Sequence, residues 1–356
     1  MGPPQAADMT STERAKLSVR SPADLLAAVP YLLGFHPADS VVAVALRGRQ
    51  IIFAARADLP DPSTDPVDRA RHLAGVIKRQ GADAATVVGY GPPDRVTPSV
   101  DAVRAALTGA GLEVLDALRV TDGRWWSYLC TEADCCPPEG RRYDPTANPV
   151  TASAVFAGQV ALPDRAALAA QVSPVDGPAR EALRAATVRA ERRLVELLEQ
   201  APDSDLLGGR ALRSAGVAAV REAQRRQRRG ERLDDDEVAW LSLLLGHLPV
   251  RDHAWERTDG RDRDIALWTD VLRRAEPELT AAPGALLAFA AWRAGQGALA
   301  AVALERTLSL HPDYSLALLL DDLLRRGVPP SELDGWPSVG MPGVVRPRKR
   351  RRRGRR

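Results

Sequence analysis

The chain has 356 residues, which is more than one hydrophobic core usually organises, so we expect two domains. Apolar residues make up 45% and aromatic residues 4%, which predicts a globular core built mainly from Ala, Leu and Val. No stretch approaches the roughly 18 to 20 apolar residues of a membrane span, and the first residues lack an apolar signal core. With only three closely spaced cysteines, these features exclude a secreted disulfide framework and predict a cytoplasmic protein without a membrane span.

Net charge is distributed unevenly along the chain. The total is +3, but the last eleven residues hold nine basic side chains and no acidic one, which leaves 40 basic against 46 acidic residues elsewhere. Such a run predicts a disordered tail over 337–356 that contacts nucleic acid or an acidic protein with salt-dependent affinity. The alternative is a solubilising end without a partner. The basic residues are Arg346, Arg348, Lys349, Arg350, Arg351, Arg352, Arg353, Arg355 and Arg356.

After a predicted disordered start at 1–15, short strand and helix patterns alternate over 16–150. Lys16 to Arg20 is a predicted strand. A helix is predicted over Pro22 to Leu33, because Ser21 is a suitable N-cap and proline is favoured at the first helical position.

Two hairpins and two further helices complete this first domain. "DSVVAVAL" and "QIIFAARADL" flank a turn at Gly48, and "LEVLDALRV" and "RWWSYLC" flank a turn at Asp122 and Gly123. Helices are predicted at 65–80 and 98–110, on either side of the strand "AATVVGYG". The pattern predicts an α/β domain with a mixed sheet and flanking helices on one or both faces.

Strand patterns fade after about residue 151, and amphipathic segments predict an all-α domain over 151–336. The predicted helices cover about 165–172, 178–199, 210–228, 234–245 and 263–274, followed by three more up to about residue 325. The segment 283–325 resembles a tetratricopeptide-type helix pair with Gly295 in its turn. Only one such unit is visible, whereas about three are needed for a free-standing solenoid. The helical domain is therefore a candidate surface for a protein partner.

Three loops of the α/β domain are candidate ligand-binding segments. "GFHPADS" contains the residue types of a hydrolytic triad, but their close spacing favours a turn with a satisfied histidine. "VVGYGPP" lacks the further glycine or Lys-Ser/Thr pair of nucleotide fingerprints, yet it follows a predicted central strand, where open α/β sheets bind ligands. "TDGR" fits a polar ligand contact or ordinary turn chemistry. The candidate residues are His36, Asp39, Ser40, Gly89, Gly91, Asp122, Arg124 and Trp125.

All three cysteines lie in "LCTEADCCPPEG", with spacing C-x4-C-C. Structural zinc normally has four ligands, often in C-x2-4-C pairs, and adjacent cysteines converge on one ion with difficulty. We therefore favour unligated cysteines that pack a turn, and we expect no cofactor. The alternatives are a zinc site formed by Cys130, Cys135, Cys136 and His36, or a redox role for the thiols.

Long motifs of the chain carry a resemblance to a known family. At "PYLLGFHPADSVVAVAL", "LRVTDGRWWSYLCTEADCCPPEG" and "NPVTASAVFAG" the chain resembles the bacterial family called domain of unknown function 4192. The likeness extends from about Leu17 to Leu333. The resemblance implies a shared architecture and a cytoplasmic location in high-GC bacteria, and it carries no activity.

The sequence contains no paired-carboxylate motif, zinc-protease signature or nucleophile elbow. Together these observations favour a non-enzymatic binding or scaffold protein that contacts nucleic acid through its tail. The alternative is a small-ligand-binding protein or an enzyme, such as a hydrolase, that uses a cleft between loops 34–40, 89–93 and 121–126.

Overall fold

The computed structural model describes residues 19–205 and 208–333. A mixed sheet with helices in the first half and a helical second half confirm the predicted fold class. The predicted disordered segments at 1–15 and 337–356, including the basic residues of the tail, lie outside the described residues. The last two residues of the strand predicted at Lys16 to Arg20 are described, and neither belongs to a strand, so that prediction fails there.

A single sheet contains six strands: β1 (Ser40–Arg47), β2 (Gln50–Asp58), β3 (Ala84–Tyr90), β4 (Glu113–Thr121), β5 (Arg124–Ser127) and β6 (Arg141–Arg142). Their order is β2-β1-β3-β4-β5-β6, in which β3 and β4 run parallel and the other neighbours antiparallel. Both predicted hairpins are present. Gly48 has a φ of 56° in the first turn, and Asp122 and Gly123 have φ values of 49° and 69° in the second. Positive φ at both central residues is the type I′ geometry that suits a two-residue hairpin turn.

Helices cover both faces of the sheet, with α1 (Pro22–Leu33) on one face and α2 (Val67–Arg79) and α3 (Pro93–Gly109) on the other. Side chains of a strand alternate between the two faces. In β1, Val42 and Val44 therefore pack toward α1. The alternate residues Val41, Ala43 and Ala45 pack toward α2 and α3. The sheet is buried on both sides at its centre.

Helix α1 has the predicted bounds, whereas α3 begins earlier than predicted. Ser21 Oγ accepts the N–H of Asp24 at 3.2 Å, as the N-cap signal predicts. Helix α3 begins at Pro93, and Pro98, the predicted start, lies inside the helix. Pro93 takes the favourable first position, and Pro98 then removes one backbone donor without ending the helix.

Ten helices follow in the described residues: α4 (Pro149–Phe156), α5 (Arg165–Ala170), α6 (Gly177–Glu199), α7 (Gly209–Arg228), α8 (Asp235–Leu244), α9 (Leu248–Trp255), α10 (Asp262–Arg274), α11 (Ala281–Arg293), α12 (Gly297–Leu310) and α13 (Ser315–Arg325). The predicted helices of the second half are present. Helix α9 is missing from the prediction because "GHLPVRD" resembles a break, whereas Pro249 sits in the first turn of a helix. None of the described helices combines the length and apolarity needed to cross a membrane.

The helical half has its own core, centred on α10 to α12. Trp268 is 1% exposed and its Nε1 donates to Thr258 Oγ1 at 2.9 Å, while Trp292 is 6% exposed. Both rings therefore pack in the core. Helix α4, by contrast, packs on α1 of the first half through Ala27, Ala28 and Val150.

Candidate metal centre

The three candidate loops lie at one edge of the sheet. In the register, Ser40 at the start of β1 pairs with Tyr90 at the end of β3, and Tyr90 pairs with Val120 near the end of β4. The loops 34–40, 89–93 and 121–126 therefore emerge side by side, at the carboxyl ends of the parallel strands. This is the edge at which open α/β sheets bind ligands.

The polar residues of the first loop serve its backbone geometry. His36 is exposed, and its backbone N–H donates to the carbonyl of Leu162 at 2.9 Å. Asp39 has a φ of 42°, and its carbonyl accepts the N–H of Leu59 at 2.9 Å. Ser40 is fully buried, and its Oγ has no hydrogen-bond partner in the described part of the chain. The contacts of this loop support the turn interpretation rather than a hydrolytic triad.

The glycines of the second loop have packing and hydrogen-bonding roles. A Cβ at Gly89 would lie 2.1 Å from Val96 Cγ1, so the missing side chain lets α3 approach β3. The N–H of Gly91 donates to the carbonyl of Val120 at 3.0 Å. Neither contact requires a ligand.

A cavity of about 460 Å³ lies at the tip of the β4–β5 hairpin. Its lining consists of Asp122, Gly123, Arg124, Arg142, Tyr143 and Asp144. This cavity includes no residue of loops 34–40 or 89–93, and the predicted cleft joining all three loops stays a prediction. Trp125, a candidate ligand-binding residue, is 6% exposed and belongs to the core beneath α1.

The segment after β5 brings the three cysteines together. The Sγ atoms of Cys130, Cys135 and Cys136 all lie within 4.8 Å of one another. Two sulfurs bound to one tetrahedral zinc at about 2.3 Å lie about 3.8 Å apart. Side-chain movements of about 1 Å would therefore place all three sulfurs on one ion. The expected difficulty of converging adjacent cysteines does not arise in this loop.

We define residues 128–140 as the cysteine loop. Hydrogen bonds within this loop and to the sheet hold its conformation. At the start of the loop, the N–H of Cys130 donates to Ser127 Oγ at 3.0 Å. In its middle, the N–H groups of Cys135 and Cys136 both donate to the Glu132 carbonyl, at 3.1 and 2.7 Å. These bonds turn the chain so that the adjacent cysteines face Cys130.

Side chains of β5 and β6 hold the second half of the cysteine loop, which leads back to the sheet. Arg141 donates to the carbonyls of Cys135 and Asp134, the latter at 2.9 Å. Trp126 Nε1 donates to the Pro138 carbonyl at 3.0 Å, and Arg124 donates to the Gly140 carbonyl at 2.8 Å. Arg124, predicted as a ligand contact, thus anchors the loop.

The thiols of the cluster differ in their acidity. A hydrogen bond from the Cys136 thiol lowers the pKa of Cys130, whereas burial raises the pKa of Cys136 to about 12. Cys130 therefore ionises before Cys136. Because metal ligands are thiolates, a bound cation would be needed to hold both residues ionised near neutral pH.

His36, the predicted fourth ligand, does not join the cluster. The ligating atoms that converge in the described residues belong to the three cysteines. His36 precedes β1, and three strand spacings of about 4.8 Å separate β1 from β5 in the sheet. His36 thus lies outside the converging set of ligand atoms, and the ligand set of this structure is the three cysteines.

The fold and site together define a two-part protein, a mixed α/β sheet joined to a helical half, with a three-cysteine cluster beside the sheet. The chain belongs to the family described as domain of unknown function (DUF4192), which matches residues 22–331. No curated protein and no solved structure matches the chain significantly. The family match confirms the resemblance seen in the sequence.

Proposed function

We propose that this protein binds a zinc ion through Cys130, Cys135 and Cys136. The convergence of three sulfur atoms within 4.8 Å carries the proposal. Thiolates are soft ligands that favour zinc over magnesium, calcium or manganese. A metal at this position would link the start of the cysteine loop at Cys130 to its middle at Cys135 and Cys136.

The test is the metal content of tag-free protein purified without chelator. We expect about one zinc per chain, lost in the variant Cys135→Ser and retained in Ala133→Ser. Ala133 is exposed in the same loop and provides no ligand, so Ala133→Ser is a matched control. Metal-free wild-type protein that gains no zinc when zinc is added would contradict the proposal and leave the cysteines as packing residues.

A second proposed function is binding of a polyanion by the basic tail, as part of a cytoplasmic binding or scaffold protein. Nine basic side chains without an acidic one in the last eleven residues support it, since the rest of the chain carries an acidic excess. The helical half, with its tetratricopeptide-like pair at 283–325, is the proposed surface for a protein partner. Deletion of 346–356 should abolish salt-sensitive retention on DNA or RNA without changing the melting temperature.

The alternative proposal is binding or turnover of a small ligand at the sheet edge. The side-by-side arrangement of loops 34–40, 89–93 and 121–126 supports it. The hairpin-tip cavity offers the charged side chains of Asp122, Arg124, Arg142 and Asp144 to a ligand. Replacing Arg142 by Gln should weaken any small-molecule ligand bound there, as measured by ligand-induced thermal stabilisation, and an unchanged stabilisation would remove this site.

A further inference from the structure

The cysteine cluster provides three ligands, whereas zinc is almost always bound by four. We propose that the fourth position of this zinc is open and takes the thiolate of a small thiol compound. This inference rests on the proposed zinc site, and it assigns that site a ligand.

The described residues near the cluster supply no fourth ligand. The converging set contains the three cysteines without a histidine or carboxylate. Glu132 and Asp134 belong to the same loop, but both are exposed, and it is their backbone carbonyls that the loop uses. Zinc sites with three protein ligands keep the fourth position for water or an exogenous ligand.

Side chains of the sheet also hold the cysteine loop. Hydrogen bonds from Arg124, Trp126 and Arg141 fix the return of the loop, and Ser127 fixes its start. Structural zinc sites, by contrast, usually supply the folding energy of the loops they join. A loop that is also held by side chains of the sheet can exchange a ligand of its metal without unfolding.

The cluster is accessible to solvent. Cys135 is exposed and Cys130 and Cys136 are half-buried, so an incoming donor can approach over Cys135. Leu129, next to Cys130, is 40% exposed and offers an apolar surface to the carbon chain of a ligand. The exposed position beside Leu129 gives a small molecule room to reach the metal.

The chemistry of the site favours sulfur as the fourth donor. Three thiolates around Zn²⁺ give a net charge of −1, so the ion polarises a bound water weakly. A fourth thiolate completes the all-sulfur shell found in many stable zinc sites. Arg141, which binds the backbone of Cys135 and Asp134, supplies a positive charge beside this shell.

The test uses the full chain loaded anaerobically with Co²⁺, whose absorbance reports on bound sulfur. Adding L-cysteine should raise the sulfur-to-cobalt charge-transfer absorbance by about one third, because three bound thiolates become four. L-serine, which lacks the thiol, should leave the spectrum unchanged. Cobalt should remain on the protein after desalting.

Several outcomes would overturn the inference. An unchanged spectrum with L-cysteine would show that the fourth position does not accept a thiolate, and loss of cobalt to it would show that the thiol displaces the three protein ligands instead of joining them. A spectrum that Glu132→Gln alters before any thiol is added, while Ala133→Ser does not, would place Glu132 on the metal. Absence of any cobalt absorbance would instead defeat the zinc site itself, so the two failures are distinguishable.

Discussion

Gly140 lies against the ring that supports the cysteine loop. Its φ is 76°, and a Cβ at this position would lie 2.3 Å from Trp126 Cε2. We expect Gly140→Ala to lower the free energy of unfolding by about 3 kcal/mol, since it combines left-handed backbone strain with overpacking. Urea denaturation measures the loss, and zinc content measures whether the cysteine loop still forms.

Gly158 provides the matched control for this substitution. Its φ is 75°, but nothing lies within 4 Å of its Cβ position. Gly158→Ala should therefore cost only about 1 to 2 kcal/mol, the penalty of the backbone conformation. Equal losses in the two variants would show that the contact with Trp126 does not constrain the loop.

His253 on α9 makes stability depend on pH. Burial lowers the pKa of His253 below 6.5, and Arg257, Arg221 and Arg213 lower it further. Its Nε2 is buried without a hydrogen-bond partner in the described residues. Because the unfolded chain binds a proton more readily than the folded one, stability contributed by the neutral imidazole is present above pH 6.5 and is lost as the pH falls through the lowered pKa.

The comparison is between the wild type and His253→Gln in urea denaturation from pH 7 to pH 5. The wild type should lose stability over this interval, and the variant should lose less. His72→Gln changes an exposed histidine of α2 and should follow the wild-type curve. Identical pH profiles for wild type and His253→Gln would remove His253 as the cause.

At the scale of secondary-structure elements, short-range signals predict the parts of the fold that depend on neighbouring residues. The N-cap at Ser21 and the Asp122-Gly123 turn are of this kind, and both have their predicted geometry. Neighbouring residues do not decide where α3 starts or whether α9 forms, because prolines at 93, 98 and 249 are compatible with either a helix or a break. Packing against the sheet or against neighbouring helices decides between them.

The cysteine cluster could be predicted only in part. The spacing identifies the residues, but their convergence depends on Arg124, Trp126 and Arg141, which donate to carbonyls of the loop. Those bonds exist because β5 pairs with β4 and β6, a tertiary arrangement. The sequence offered one signal of this convergence: Trp and Arg residues flank the cysteine-rich loop on strands that pair.

Helices α11 and α12 pack closely at Gly284. A Cβ at Gly284 would lie 1.9 Å from Thr307 Oγ1, and Thr307 is fully buried. We expect Gly284→Ala to destabilise the protein by about 1 to 3 kcal/mol, despite the better helix propensity of alanine. The double variant with Thr307→Ala should recover part of this loss in thermal unfolding, because the clashing hydroxyl is removed.

Gly297 is the control for helix propensity in the same pair of helices. Gly297 begins α12, and a Cβ added there would lie 3.8 Å from Leu324 Cδ1, an ordinary contact distance. Gly297→Ala should leave stability unchanged or raise it slightly. Additive effects of Gly284→Ala and Thr307→Ala would contradict direct contact between the two positions.

At the scale of the whole molecule, Phe35 joins the two halves. It follows α1 in the first half, yet it is 2% exposed and belongs to the core of the helical half. Phe35 also forms a bridge with Leu162, and the guanidinium of Arg56 on β2 lies 5.5 Å from its ring. The halves therefore share apolar surface rather than meeting through a linker alone.

Phe35→Ala should cost about 3 to 5 kcal/mol and should uncouple the halves. Hydrogen exchange followed by mass spectrometry in increasing urea would report on peptides of each half separately. We expect one unfolding midpoint for both halves in the wild type and two midpoints in the variant. Leu32→Ala, at a position 38% exposed, should retain one midpoint, and a single midpoint in Phe35→Ala would show that other contacts couple the halves.

The anchoring of the cysteine loop by β5 and β6 also has a consequence for synthesis of the chain. The anchoring arginine of β6 follows all three cysteines in sequence, so a ribosome releases the thiols before the residue that gathers them. Until β6 pairs with β5, each thiol of the nascent chain is accessible by itself to oxidants and to free metal ions. In the proposed zinc site, pairing of β6 with β5 would therefore gather the three ligands before a single ion could join all of them.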